Sequence, residues 1–196
     1  MLCMTMANKV TSIRFLLCIL YYVLLSLAVQ KTARDIELLT IIFILNQIIA
    51  WSDLLDGYLA RKYKEVTHFG RIADPLVDKI LVVGSFIFFL VLDPLPHIFK
   101  AWFAVVVLGR EFLVSGIRGA MEAAGIPFPA SVWGKIKTAI QNVTVGTGLG
   151  YAAWLPASKG TELVTVVLMW ATLVATVMSG VTYVMSARKF LGSERI

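Results

Sequence analysis

Long apolar runs separated by short polar breaks dominate the sequence. Because a helix needs about 20 mostly apolar residues to cross a membrane, these runs predict membrane-spanning helices. Each break between two runs carries charged residues or the turn-forming residues Gly and Pro. The pattern therefore predicts an all-α integral membrane protein with one membrane domain over residues 1–196. Its six predicted transmembrane helices cover roughly residues 13–30, 36–60, 72–92, 98–121, 133–155 and 161–187.

The amino-terminal stretch 1–12 is too polar to cross a membrane. Lys9 and Arg14 surround the apolar residues Val10 and Ile13, a pattern typical of a helix that lies on a membrane surface. We therefore expect a short amino-terminal surface helix before the first span. The stretch has no small-residue cleavage site, so we do not expect a secretory signal peptide.

The composition agrees with a membrane location. Hydrophobic residues make up 59% of the chain and charged residues 15%, with a mean hydropathy of +0.83. Soluble domains have about 25% charged residues, which form a polar shell. Because this chain lacks the residues for such a shell, we expect its outer surface to face a lipid bilayer. Its two cysteines are too few for a disulfide framework.

The positive charges fall mainly on one side of the predicted topology. With six spans, the two termini share a side with the connections 61–71 and 122–132. Positively charged residues accumulate on the cytoplasmic side of membrane proteins, so we expect this side to be cytoplasmic. The net charge of +6 then reflects topology, and we expect no nucleic-acid partner. Of the 18 Lys and Arg residues, all fall on or near this side except Lys31, Arg34, Lys100 and Lys159.

Four aspartates gather where the second predicted span ends and the third begins. Asp53 and Asp56 are three residues apart, and Asp74 and Asp78 are four apart, so each pair shares a helix face. The short connection between the spans would bring both faces together at the cytoplasmic mouth. Ionisable groups inside spans are costly and are therefore candidates for function. Carboxylates suit hard divalent cations that also bind phosphate, and paired ions support phosphoryl displacement.

A structural explanation of the aspartates stays open, in which each pairs with a nearby cation such as Arg61 or Lys79. Small residues favour the functional reading. Gly57 and Ala60 lie on the same predicted helix face as the first aspartate pair, and they leave room for a flat nucleotide or pyrophosphate. Gly and Ala in membrane helices also serve helix packing. Arg61 would be available to bind phosphate.

The pattern Asp53-x-x-Asp56-Gly57-x-x-Ala60-Arg61, followed by Gly70-x-x-x-Asp74-x-x-x-Asp78, resembles the signature of the CDP-alcohol phosphatidyltransferase family. The resemblance implies a six-helix membrane enzyme, usually a homodimer, that is open to the cytoplasm. It implies transfer of a phosphatidyl group from a CDP-linked lipid to an alcohol, with release of CMP. It also implies two Mg²⁺ or Mn²⁺ ions, with these roles: metal binding by Asp53, Asp56, Asp74 and Asp78, general-base catalysis by Asp78, and CDP-lipid binding by Asp56, Gly57, Ala60 and Arg61.

The amino-terminal residues extend the resemblance. Asn8-x-x-Thr11-x-x-Arg14 is similar to an element that precedes the first span in this family. The similarity implies that Asn8 and Thr11 contact the nucleotide side of the CDP-lipid. On physical grounds alone, Asn8 or Thr11 could equally cap a helix, with Arg14 as a topology charge.

Embedded cations indicate the type of acceptor. Arg110 and Arg118 lie in the fourth predicted span, and Lys135 and Lys137 open the fifth. Guanidinium and ammonium groups bind phosphate oxygens well, so the cluster predicts an acceptor that carries a phosphate. Snorkelling toward lipid headgroups is the alternative for the two lysines. We expect Glu111 to pair with one of the cations.

The residues around these cations resemble the bacterial phosphatidylglycerophosphate synthases within the family. The similar segments are Arg110-Glu111-Phe112-x-Val114-Ser115-Gly116-x-Arg118 and Ala130-Ser131-x-x-Gly134-Lys135-x-Lys137-Thr138. The resemblance implies CDP-diacylglycerol and glycerol 3-phosphate as substrates and the bacterial inner membrane as the location. Phosphatidylinositol-phosphate synthase and cardiolipin synthase activities stay open as alternatives. A small cation transporter is a remote alternative, which would require acidic residues through the bilayer depth.

Overall fold

The computed structural model describes the backbone of residues 6–31, 33–63, 68–125, 132–155 and 158–193, and the side chains of these residues except 6–11, 53–63, 68–75 and 189–193. Within these ranges the chain forms helices and no strand, which confirms the all-α prediction. A short 3₁₀ turn, Leu95–His97, precedes the fourth helix. The α-helices of the described ranges are α1 (Met6–Gln30), α2 (Ile36–Tyr63), α3 (His68–Phe88), α4 (Ala101–Ala123), α5 (Val132–Trp154) and α6 (Lys159–Ser193).

Several boundaries differ from the prediction; α6, for example, ends at Ser193 and not at residue 187. The separate surface helix expected over residues 1–12 is wrong from Met6 onward, because α1 runs without interruption from Met6 to Gln30. No Gly or Pro interrupts residues 6–12, and a formed helix extends readily through such residues. Residues 1–5 lie outside the described part of the chain. Helix α3 ends at Phe88, before the expected residue 92, and hydrogen-bonded turns continue the chain to Leu92.

Two of the described helical segments are long and apolar enough to cross a membrane. They are Ser12–Gln30 and Lys159–Arg188, and a shorter apolar segment covers Ile36–Ser52. Charged residues interrupt the apolar run of α4, and uncharged polar residues such as Gln141 and Asn142 lower the hydropathy of α5, so hydropathy alone does not select these helices. Large apolar side chains point outward along the bundle, for example Leu16 and Phe112, which are 64% and 70% exposed. The six-span topology stays a prediction.

Helix α5 packs against both α2 and α6, while α1 packs against α2 and α3. The buried aromatic rings of Phe86, Phe89, Phe99 and Phe103 contact one another in the core. Gly148 of α5 lies directly against Phe89, because a Cβ atom placed on Gly148 would come within 2.6 Å of the ring. The missing side chain therefore allows α5 to approach α3 closely.

The contact between α5 and α6 is polar in its centre. The hydroxyls of Thr144 and Thr172 lie 2.7 Å apart, and Gln141 Nε2 donates to Thr176 Oγ1 over 3.4 Å. All four side chains are buried. Because buried polar groups are costly to leave unpaired, these bonds favour one register of α6 against α5. That register determines which α6 residues face the neighbouring α4.

Candidate active site

A cavity of about 1130 Å³ opens among helices α2 to α6. Part of its lining is apolar and includes Phe43, Trp154 and Val164. The volume suits a large ligand, and the mixture of apolar and charged walls suits a lipid that carries a charged headgroup. The charged residues of the lining gather on α3, α4 and the start of α5: Asp78, Lys79, Arg110, Glu111, Arg118, Lys135 and Lys137.

The cavity brings together the described residues that the sequence singled out. Asp78 of α3 lines it and is partly buried. The four predicted phosphate-binding cations line it as well, Arg110 and Arg118 from α4 and Lys135 and Lys137 from α5. Residues far apart in the sequence thus share one wall, because α3, α4 and α5 converge there.

The remaining predicted site residues have side chains outside the described part of the chain. Their backbones belong to helices α1, α2 and α3. Among the side chains that the structure describes, no group of three or more metal-binding residues occurs, and Asp78 is the only predicted metal ligand in that set. The predicted residues concerned are Asn8, Thr11, Asp53, Asp56, Gly57, Ala60, Arg61 and Asp74.

Glu111 joins two of the cations. Its Oε1 accepts a hydrogen bond from Arg110 Nη1 over 3.0 Å and another from Lys137 Nζ. The three side chains are 8%, 9% and 6% exposed, in the order Glu111, Arg110, Lys137. The expected pairing of Glu111 with a cation is therefore confirmed, and it extends to two cations. Without this carboxylate the two like charges would repel each other in a poorly solvated place.

The four cations fall into two classes. Arg110 and Lys137 are nearly buried and share Glu111, as described above. Arg118 and Lys135 are exposed, and neither has an ion-pair partner among the described residues. Arg110 and Lys137 are thus held in place by Glu111, whereas Arg118 and Lys135 are exposed lining residues of the cavity.

Helix α6 holds the end of the Arg110 side chain. Arg110 Nη2 donates a hydrogen bond to Ser179 Oγ, and the guanidinium carbon lies 5.6 Å from the centre of the Tyr183 ring. A cation at this distance over an aromatic face is attracted to it. Arg110 is therefore contacted by its own helix α4 and by α6.

Lys79 is a further cation of the cavity. Its Nζ donates to Ser115 Oγ, and Ser115 Oγ in turn donates to the backbone oxygen of Glu111 over 2.6 Å. Lys79 follows Asp78 directly in α3 but points toward α4 through this bond. The sequence interpretation considered Lys79 only as a partner for an aspartate.

Sequence reasoning missed the α6 residues of the site. One signal was available: Thr165, Thr172, Thr176, Ser179 and Tyr183 recur at spacings of three, four and seven, which place them on one helix face. A polar stripe of this kind in an apolar helix marks a face turned toward the protein. It does not reveal that Ser179 and Tyr183 meet Arg110.

The sequence is similar to that of a known protein family. The sequence profile of the CDP-alcohol phosphatidyltransferase family matches residues 4–178. The chain belongs to this family.

Curated members of the CDP-alcohol phosphatidyltransferase family are similar to the chain over most of its length. A protein of Mycobacterium tuberculosis named probable phosphatidylglycerophosphate synthase is 36% identical over 157 residues, which cover 76% of this chain and 70% of the relative. A Bacillus subtilis protein named CDP-diacylglycerol–glycerol-3-phosphate 3-phosphatidyltransferase is 37% identical over 144 residues, covering 71% and 69%. A Rickettsia bellii protein of the same name is 32% identical over 159 residues, covering 76% and 78%.

Proposed function

We propose that this chain transfers the phosphatidyl group of CDP-diacylglycerol to sn-glycerol 3-phosphate, giving phosphatidylglycerophosphate and CMP. The observation that carries the proposal is a large cavity whose lining combines Asp78 with five cations from α3, α4 and α5. The names of the relatives from Bacillus subtilis and Rickettsia bellii support the same donor and acceptor.

The cations of the cavity are the reason for proposing an acceptor that carries a phosphate. Arg118 and Lys135 are exposed, whereas Arg110 and Lys137 are nearly buried and share the Glu111 carboxylate. Among the described lining residues, five cations face two carboxylates, those of Asp78 and Glu111. An acceptor phosphate would offset part of this positive charge through charge-assisted hydrogen bonds. A neutral alcohol would not.

Asp78 is the proposed general base. It lines the same cavity as the cations, so an acceptor whose phosphate is bound by them has its free primary hydroxyl near α3. The Asp78 carboxylate takes the proton of this hydroxyl as the oxygen attacks the lipid-linked phosphorus. The new P–O bond replaces the bond to CMP, and CMP leaves with the electron pair. Positioning of the two substrates supplies a large part of the rate.

The proposed metal site comprises Asp53, Asp56, Asp74 and Asp78. Carboxylate oxygens are a suitable donor set for Mg²⁺ or Mn²⁺, and the two helices that carry them, α2 and α3, are in contact. Two bound ions would supply charge neutralisation on the diphosphate of the CDP-lipid. We assign Asp56, Gly57, Ala60 and Arg61 of α2, with Asn8 and Thr11 of α1, to the binding of the CDP group.

The same proposal includes the cellular arrangement. All six α-helices would cross the bilayer, with the charged end of the cavity on the cytoplasmic side of a bacterial inner membrane. The distribution of Lys and Arg supports this orientation. A homodimer is proposed from the family resemblance.

A CMP-release assay with purified protein tests the proposal. CDP-diacylglycerol and Mg²⁺ or Mn²⁺ are supplied with glycerol 3-phosphate, inositol phosphate or glycerol in separate reactions. We expect release with glycerol 3-phosphate and almost none with glycerol, because glycerol lacks the phosphate. Release with inositol phosphate alone would overturn the acceptor assignment, and release with glycerol at the same KM would overturn the role of the cations.

A further inference from the structure

We propose that Ser179, Gly180 and Tyr183 of α6 form a cradle that positions Arg110 for recognition of the acceptor phosphate. The inference rests on the proposed function, because it takes Arg110 as a phosphate-binding residue. It assigns a role to α6, a helix that contributes nothing to the aspartate pattern or to the cation pattern in the sequence.

Three separate contacts define the cradle. Ser179 Oγ accepts a hydrogen bond from Arg110 Nη2. The Tyr183 ring lies 5.6 Å from the guanidinium carbon. Gly180 lies against the stem of the side chain, since a Cβ atom on Gly180 would come within 3.3 Å of Arg110 Cγ. The three contacts involve the Cγ atom, the Nη2 atom and the guanidinium carbon of the same Arg110 side chain.

The cradle restricts a side chain that is otherwise flexible. Arginine has many rotamers, and a guanidinium fork binds phosphate well only when its plane and direction are fixed. Glu111 holds Nη1 and Ser179 holds Nη2, while the Tyr183 ring limits rotation of the plane. Nε of Arg110 is buried and has no hydrogen-bond partner among the described residues. An ordered guanidinium with one unsatisfied donor is preorganised for an anionic ligand.

Packing between α4 and α6 is the competing explanation of the same contacts. In that case Ser179 and Gly180 would contribute to stability alone. Positioning makes a different prediction: loss of the Ser179 hydroxyl weakens acceptor binding but leaves the CDP-lipid unaffected. The Michaelis constants of the two substrates therefore distinguish the explanations.

The test compares purified full-length variants in the CMP-release assay. For Ser179→Ala we expect the KM for glycerol 3-phosphate to rise roughly three- to tenfold, the range that corresponds to one lost hydrogen bond. We expect the KM for CDP-diacylglycerol and kcat to change less than about twofold. Ser179→Thr restores a hydroxyl and should recover most of the loss. Ser186→Ala, the same change at an exposed position of α6, is the matched control.

Two further variants connect the effect to Arg110. Gly180→Ala introduces the close contact with the arginine stem and should raise the same KM. In an Arg110→Lys background, Ser179→Ala should have no additional effect on acceptor KM, because the fork that Ser179 orients is gone.

The outcomes separate the two levels of the inference. Should the wild type release no CMP with glycerol 3-phosphate, the proposed function fails, and the cradle with it. A different result overturns the cradle alone. In that case the wild type is active and Arg110→Lys raises the acceptor KM, but Ser179→Ala and Gly180→Ala lower only the melting temperature. A raised acceptor KM in all three variants, with rescue by Ser179→Thr, supports it.

Discussion

Replacement of Glu111 by Gln removes the carboxylate that two nearly buried cations share. The side chains of Arg110 and Lys137 are 9% and 6% exposed and both donate to Glu111 Oε1. Removing one partner of a buried ion pair lowers the free energy of unfolding by about 3–5 kcal/mol, because the remaining charge is left uncompensated. Gln retains an oxygen in nearly the same place, so we expect the lower end, about 3 kcal/mol. For a protein of 196 residues, about 2–4 °C per kcal/mol converts this into a fall in Tm of about 6–12 °C.

Thermal unfolding in detergent measures this effect, with Glu122→Gln as the control. Glu122 lies on the same helix but is exposed, so its replacement should change the Tm by less than about 2 °C. A double variant, Glu111→Gln with Lys137→Met, should recover part of the lost stability, since replacing both members of a buried pair is often neutral. It should not recover acceptor affinity. Equal Tm values for Glu111→Gln, Glu122→Gln and wild type would refute the bridging role of Glu111.

Three other predictions concern catalysis, metal and packing. Asp78→Asn should lower kcat by about 10²–10⁴-fold, the usual contribution of a general base, while the Tm stays within a few degrees; near-normal turnover would rule out the base. Addition of EDTA should abolish CMP release, and excess Mg²⁺ or Mn²⁺ should restore it; full activity in EDTA would contradict the metal site. Gly148→Ala should lower the Tm, because its Cβ would lie 2.6 Å from the Phe89 ring and overpacking costs about 1–3 kcal/mol. Gly119→Ala, at a helical position with open space around it, should keep or raise the Tm, and equal losses in both variants would refute the packing argument.

The sequence predicted the helices well because their signal is local. Runs of apolar residues between polar breaks gave spans close to the observed helices, and the Asp93-Pro94 break falls in the connection between α3 and α4. The surface helix was wrong because polarity decides whether a segment enters a membrane but does not decide where a helix starts. Residues 6–12 contain no helix-breaking residue, so α1 includes them.

The site was predictable where charge stood out against an apolar background. Asp78 and the four cations were identified as conspicuous charges in apolar runs, and the structure brings them to one cavity. The division of the cations into a buried pair on Glu111 and an exposed pair depends on how the tertiary fold brings Lys137 of α5 to Glu111 of α4, which no local pattern encodes. The contact of Ser179 and Tyr183 with Arg110 depends in the same way on the register of α6.

Incorporation of radiolabelled glycerol 3-phosphate into extractable lipid tests the central claim most directly. Wild-type protein and the Arg110→Gln variant are compared side by side over a range of acceptor concentrations, with CDP-diacylglycerol held in excess. The account predicts that label enters the lipid with the wild type, and that the variant needs a much higher acceptor concentration while its KM for CDP-diacylglycerol is unchanged. Absence of labelled lipid with the wild type, or the same acceptor KM in both proteins, would contradict it.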